Sequence, residues 1–442
     1  MYTLNAPAVY AHKSVMGNPV YRARVERVVA ALKERREVIP YADNDVPRLI
    51  REDRIFRNRV IMGTRPDMPD PILLFNTFRF GDDDAAFRAR EASWKEAGVE
   101  IGHCRDALLG TGAFCWKGYN QKGDPNRHDK VCRPCWCIHL QDGCLHKCAY
   151  CGTGGLLVSM VNVEEYCENL GRLIEQHPWQ KAYLIDDDAD PICLEPEMDC
   201  LGRIIEFFGT LKDRYLIIHT KTWNTSWLKD LKHNGNTIIV WSLGGSTQSR
   251  VFEPNTGTME QRIEAARIAE ESGYQIRYKF KPIIPVEDWQ RDAADAIELA
   301  LRATHPDVIS LCVFMWMDVD ELKRRFASVL DRIDPRFLAA AEEGRTEVAQ
   351  SLTKPFPQRM RAEIYDHYLA EIRKRDKDIP VSLSTESFDI WKDFAKKLGM
   401  NATNYVCGCG PQTTPGAKLL YEHPFTTAVK NVSGVGAVVT GA

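Results

Sequence analysis

The stretch that decides the reading is Cys144-Leu-His-Lys-Cys148-Ala-Tyr-Cys151, a C-x3-C-x2-C spacing that follows a short apolar run at 136–140 and leads into Gly152-Thr-Gly-Gly155. Three thiolates on one tight loop suit a [4Fe–4S] cluster, whose usual ligand is cysteine thiolate and whose full set is four. Three ligands leave one iron open to a substrate or cofactor. The alternative is a zinc site completed by a fourth ligand elsewhere. The strand before the loop and the low side-chain bulk after it favour the cluster, so Cys144, Cys148 and Cys151 are the expected metal ligands.

Outward from this loop the chain acquires a rhythm. Apolar runs at 136–140, 182–185, 215–219, 237–243, 275–284 and 308–314 alternate with amphipathic stretches at 163–176, 198–211, 225–232, 259–272 and 289–304. Such alternation implies βαβ units and a parallel sheet. Six units predict an α/β fold with a partial (β/α)6 TIM-type barrel, whose chemistry gathers at the C-terminal ends of the strands. Three regions are expected. Residues 1–130 form an N-terminal accessory region, with helices at 21–38 and 82–98 and a polar boundary at 122–130. Residues 131–330 form the barrel. Residues 331–442 form a helical C-terminal region, with helices at 342–352 and 357–376, a last strand at 380–384 placed to close the sheet, and a tail carrying Cys407 and Cys409.

Composition narrows the function classes. A chain of 442 residues can bury a full core without disulfides. With 58 Lys and Arg against 61 Asp and Glu, the net charge of -3 gives no whole-chain basic field for nucleic acid. Basic residues at 21–36 and 354–377 are interleaved with acids and read as solvated helix faces. No secretory signal and no apolar run of membrane-spanning length is visible, so the expected location is cytoplasmic, with no membrane contact. Fourteen cysteines in a reducing compartment point to metal binding or redox chemistry.

The C-x3-C-x2-C loop at the end of a first barrel strand resembles the radical S-adenosylmethionine (SAM) superfamily. Downstream, Trp241-Ser-Leu-Gly, Phe252-Glu-Pro-Asn-Thr-Gly-Thr, Arg262-Ile-Glu-Ala-Ala-Arg, Ser272-Gly-Tyr, Lys281-Pro-Ile-Ile-Pro, Asp288-Trp, Ser384-Thr-Glu386 and Trp391-Lys-Asp-Phe394 resemble its spore photoproduct lyase branch, in order along the chain. The resemblance implies a [4Fe–4S] cluster whose open iron chelates SAM, reductive cleavage to a 5'-deoxyadenosyl radical, and an electron donor of flavodoxin or ferredoxin type. It makes Tyr150, Gly152, Lys221 and Ser242 the cofactor-binding candidates. Tyr150 matches the aromatic residue before the last cluster cysteine. Lys221 looks like the lysine near the cofactor carboxylate, and Ser242 like a serine that hydrogen-bonds the cofactor.

The departures from the branch shape the expected substrate. The lyases' hydrogen-donating cysteine aligns with Asp187, in the acidic run Asp186-Asp-Asp-Ala-Asp190, and Cys193 is displaced by about six residues. Gly152 replaces a tyrosine, and no Gly- and Tyr-rich DNA-opening hairpin is evident near 352–375. These losses turn the expectation toward an enzyme that abstracts hydrogen from a small metabolite or natural-product intermediate. Nucleic-acid base repair or modification is the first alternative, and a non-catalytic zinc protein the second. Asp187 and Cys409 are the catalytic candidates, Cys409 as a replacement hydrogen-atom donor. Cys132, Cys135, Cys137, Cys407 and Cys409 remain open between a second metal site, redox thiols and buried packing. Cys312 is the other thiol that the sixth strand is placed to point inward.

Overall fold

The computed structural model describes residues 2–56, 69–102, 104–118 and 130–419. The boundary expected at 122–130 lies, Lys130 aside, outside the described residues. In chain order the strands are β1 (Val9–His12), β2 (Val38–Tyr41), β3 (Ile72–Asn76), β4 (Phe114–Lys117), β5 (Cys135–Ile138), β6 (Gln141–Asp142), β7 (Leu156–Met160), β8 (Ala182–Ile185), β9 (Tyr215–Thr220), β10 (Thr237–Leu243), β11 (Gln275–Ile283), β12 (Ile309–Val313) and β13 (Val381–Leu383).

They form two main sheets. The larger has the order β13-β12-β11-β10-β9-β8-β5-β4, parallel from β13 to β5 with β4 antiparallel on the edge. It contains all six expected barrel strands. β13 extends the sheet beside β12 without closing it, so the result is a partial barrel. The smaller sheet has the order β2-β1-β3-β7-β6. β3, β7 and β8 are buried at every position, as strands covered on both faces must be, and their sequences are accordingly near-continuous apolar runs.

Helices pack an apolar stripe onto the barrel strands. In Val163–Gln176, Tyr166, Leu170, Leu173 and Ile174 are buried at helical spacing. Met259–Glu271 begins with a capping box in which Thr258 and Gln261 satisfy each other's backbone amides. Three expected helices differ. The first spans Pro19–Ala30, because Asn18 caps it and Pro19 occupies its first turn. Residues 225–232 form only a 3-10 turn at Ser226–Asp230, where Leu228 alone is buried and too little apolar surface supports a full helix. In place of 342–352, Asp334 and Pro335 start a helix earlier, at Pro335–Glu343, and a short turn follows at Arg345–Val348.

The unexpected strands matter most for the site. β5 belongs to the barrel, whereas β6 and β7 belong to the N-terminal sheet. The chain thus crosses from the barrel sheet to the smaller sheet between β5 and β6, and the cysteine loop joins β6 to β7 within the smaller sheet. Its first residue, Gly143, has φ +102°, and a Cβ there would lie 1.9 Å from the Leu156 carbonyl oxygen. Gly143→Ala is therefore expected to destabilise the fold by at least about 1–3 kcal/mol, measured by denaturant unfolding. Wild-type stability in the variant would show that the turn is not constrained.

Candidate active site

Cys144, Cys148 and Cys151 line one cavity together with Pro69, Pro71 and Gly154. The backbone brings them together through local bonds: the Cys144 amide donates to the Thr153 carbonyl at 3.2 Å, and the Cys151 amide to the Cys148 carbonyl at 3.0 Å. The Cys151 thiol lies 3.1 Å from the Thr153 hydroxyl. A donor set made only of thiols, on a short loop and facing one cavity, fits an iron–sulfur cluster. Cys144 also faces His146 and Cys193, all three ligand atoms lying within 4.8 Å of one another. The sequence placed Cys193 near the site without a contact; here it is buried against the loop, 3.7 Å from His146 Nε2.

A second loop, 252–257, grips the first. Phe252 and Pro254 carbonyls accept from the amides of Ala149 and Lys147 at 2.8 and 3.2 Å, and Asn255 Nδ2 donates to the Leu145 carbonyl at 2.7 Å. At its centre Glu253 is ion-paired with Arg262 at 2.7 Å, both side chains fully buried. Burial pushes the Glu253 carboxyl up, but the Arg262 and Lys221 charges outweigh it and hold the group at about 2. Glu253 also accepts from Tyr150 Oη at 2.6 Å. Arg262 donates to the carbonyls of Gly257 (2.7 Å) and Ser242 (2.9 Å).

This network gathers the cofactor candidates. Tyr150, Lys221 and Ser242 come from the cysteine loop, the end of β9 and the end of β10, and all touch or neighbour the Glu253–Arg262 pair. Lys221 Nζ stands 5.8 Å from the Tyr150 ring centre, and the Lys221 carbonyl accepts from the Gly257 amide at 3.0 Å. Gly152 follows the last cysteine and is half-buried. The sequence quoted Glu253 and Arg262 as family resemblance but assigned them no role; a buried acid and base that meet only after folding leave no spacing signal.

The acidic run divides by task. Asp190 is buried and accepts from the Thr220 hydroxyl (2.9 Å) and the Lys221 amide (2.8 Å), fixing the start of the Lys221 segment. Asp186 accepts from the Leu140 and Gln141 amides at 2.7 and 3.0 Å. Burial raises its carboxyl to about 8 against those two donors, so it is held protonated at neutral pH. Asp187 is ion-paired with Lys117 of β4, and its Oδ1 is buried without a hydrogen-bond partner. Cys409 lies elsewhere, deep in the barrel, 3.9 Å from Lys279 Nζ. Cys312 is buried, its thiol 3.6 Å from the Thr385 hydroxyl.

Residues 131–336 match the family model described as spore photoproduct lyase. The chain carries a radical SAM fold of the spore photoproduct lyase type. It is 28% identical over 180 residues to the spore photoproduct lyase of Bacillus subtilis (strain 168), covering 39% of this chain and 53% of that protein. The Clostridium acetobutylicum spore photoproduct lyase is 25% identical over 180 residues, with 39% and 54% covered. The chain thus matches about half the length of these curated relatives. A solved mutant spore photoproduct lyase with bound AdoMet and dinucleoside spore photoproduct superposes with a TM-score of 0.60 at 17% identity, over 87% of this chain and all of that one. The lyase-like fold therefore extends well beyond the segment alike in sequence. These findings overturn the expected preference for a small-molecule substrate over nucleic acid: the ligand held by the lyase of this fold is a dinucleoside. The hairpin and the donor cysteine are single features of the lyases, and their absence leaves the rest of the fold unchanged. Among the described residues, no helix is long and apolar enough to cross a membrane.

Arg262→Ala is expected to cost about 3–5 kcal/mol in denaturant unfolding, because it strands the Glu253 charge in the core. Asp186 generates a pH signature. Its pKa is raised from an ordinary carboxylate value near 4 to about 8 on folding. The unfolded chain releases this proton first, so the contribution is full below about pH 4 and is lost as pH rises to about 8. Asp186→Asn should flatten this decline in unfolding curves measured across that window; an unchanged decline would assign it to other groups.

Proposed function

We propose that the protein is a radical SAM enzyme of the lyase type, acting on a nucleobase-containing substrate derived from nucleic acid. The observation that carries the reading is the single cavity lined by Cys144, Cys148 and Cys151, joined through the 252–257 loop to Lys221 and Ser242 at the C-terminal ends of two barrel strands. Cys144, Cys148 and Cys151 would hold a [4Fe–4S] cluster there, which with SAM would supply one-electron reductive cleavage and radical hydrogen abstraction from the substrate.

The chain's own residues prepare the site. The Lys221 ammonium offsets a cofactor carboxylate, and Asp190 fixes its height by holding the backbone. Glu253 orients the Tyr150 ring, and Gly152 adds no side-chain bulk directly after the last cysteine. Asp187 stands where the resemblance puts the lyases' donor cysteine. A carboxylate does not donate a hydrogen atom as a thiol does. Its unpartnered Oδ1 is instead an acceptor suited to a nucleobase N–H, and Lys117 keeps it ionised despite burial. A thiol-only metal site suits a reducing compartment, and we place the protein in the cytoplasm.

The test is anaerobic reconstitution, one-electron reduction and assay of 5'-deoxyadenosine with and without dinucleoside spore photoproduct. Substrate-dependent release is expected, abolished by Cys144→Ala, Cys148→Ala or Cys151→Ala. Iron-loaded wild-type protein that never cleaves SAM would overturn the enzyme reading. Cleavage indifferent to the dinucleoside and to photoproduct-bearing DNA would overturn the substrate.

A further inference from the structure

Four thiols outside the SAM site converge inside the barrel. Cys132 and Cys135 form a C-x2-C pair at the start of β5, and Cys407 and Cys409 form a C-x-C pair on the C-terminal tail. Separated by about 270 residues, the two pairs are brought together by a purpose-built clasp. Arg133 donates to the carbonyls of Thr403 (3.4 Å) and Tyr405 (3.3 Å), and its guanidinium carbon lies 4.6 Å from the Tyr405 ring centre. The tail is then pinned beneath the sheet. The Gly408 amide donates to Ser310 Oγ at 3.1 Å, Arg277 donates to the Gly408 carbonyl at 3.2 Å, and the Pro411 carbonyl accepts from the amides of Lys181 and Ala182 at 2.9 Å. Cys409 consequently packs against Leu184, Ile217 and Val240 on the inner wall. Cys132, Cys135 and Cys407 all lie within electrostatic reach of it.

A second observation says what this thiol set is for. Lys279 of β11 is only 6% exposed, and its ammonium points at Cys409 Sγ, 3.9 Å away. Among the described residues, no carboxylate lies within ion-pairing distance of it. A buried ammonium is costly unless an anion faces it, and the atom facing Lys279 is the Cys409 sulfur. Thiolates held by a metal centre supply the missing anion.

We propose that Cys132, Cys135, Cys407 and Cys409 ligate an auxiliary iron–sulfur cluster inside the barrel, charge-compensated by Lys279. The spacing favours a polynuclear centre over a single zinc ion. Four thiolates around one tetrahedral zinc, each at about 2.3 Å, stand roughly 3.8 Å apart from one another. Among the described residues, however, the one set of three or more metal-binding atoms within 4.8 Å is Cys144, His146 and Cys193. In an iron–sulfur cluster the four thiolates are distributed over two or more irons, so they need not all meet around one atom. Cys137, whose thiol is 3.8 Å from that of Cys135, stands beside the set. Under this assignment Cys409 is a metal ligand in place of a hydrogen-atom donor.

The test counts iron, acid-labile sulfide and zinc per full-length chain after anaerobic reconstitution and desalting, with EPR of the reduced protein. About eight irons are expected in the wild type if both clusters are cubanes, or about six if the auxiliary one is [2Fe–2S]. The triple variant Cys144→Ala, Cys148→Ala, Cys151→Ala leaves the four proposed ligands untouched. It should lose about four irons and keep the remainder with a distinct reduced EPR signal. The double variant Cys407→Ser, Cys409→Ser should lose that remainder and keep SAM-responsive EPR from the first cluster. Wild type with about four irons, all lost in the triple variant, would overturn the proposal while leaving the SAM-site reading intact. So would one zinc per chain that disappears with Cys407 and Cys409, or full iron retention in the double variant. Iron that does not fall in the triple variant would instead overturn the SAM-site assignment.

Discussion

The site depends on one buried ion pair. Glu253 and Arg262 are both fully buried, and their remaining bonds run outward to Tyr150 of the cysteine loop, to the Ser242 carbonyl at the end of β10 and to the Gly257 carbonyl of the gripping loop. Desolvating two charges is expensive, and the mutual attraction repays it only when the remaining donors and acceptors are also satisfied. That requirement ties three chain segments to one geometry. It lets the loop that joins β6 to β7 hold three thiols at one cavity, a task that the glycine-rich local sequence could not perform alone.

The barrel interior carries more charge than a packed core ordinarily does. Lys117, Asp187, Lys279 and Lys281 belong to β4, the β8 end and β11, and Arg277 is buried beneath them against Asp307. Each lies opposite a polar or thiol partner contributed by a different segment. The tail closes this interior from below by backbone bonds to Ser310, Lys181 and Ala182. A chain that commits this many buried and half-buried charges to one chamber gains positioning rather than stability, because well-packed apolar residues of similar volume would often stabilise as much or more.

Much of the architecture was legible in sequence because period and composition are local. The six barrel runs, the Thr258 capping box and the amphipathic helix at Val163–Gln176 each follow from neighbouring residues. Errors arose where local signals compete. The basic residues after Ala30 resembled a continuing helix, yet the chain turns and adds β2. The run at 225–232 had helical spacing but too little apolar surface to bury. β1, β3 and β7 went unread because a fully buried short strand has no alternation to betray it. The preference for a small substrate failed for a different reason: absent features carry less information about ligand class than the fold that is present.

The sequence by itself determined the thiol chemistry. Three cysteines within eight residues face one cavity because the chain between them is too short to do otherwise, and a thiol-only set of that kind suits an iron–sulfur cluster. Tertiary structure alone decided which distant groups meet: Glu253 with Arg262, Lys117 with Asp187, Cys193 with Cys144, and the tail thiols with those before β5. The physical reason is range. Spacing encodes contacts within a loop or turn, whereas the pairing of buried charges and of thiols hundreds of residues apart is set by sheet order and by the cost of leaving any of them unpartnered.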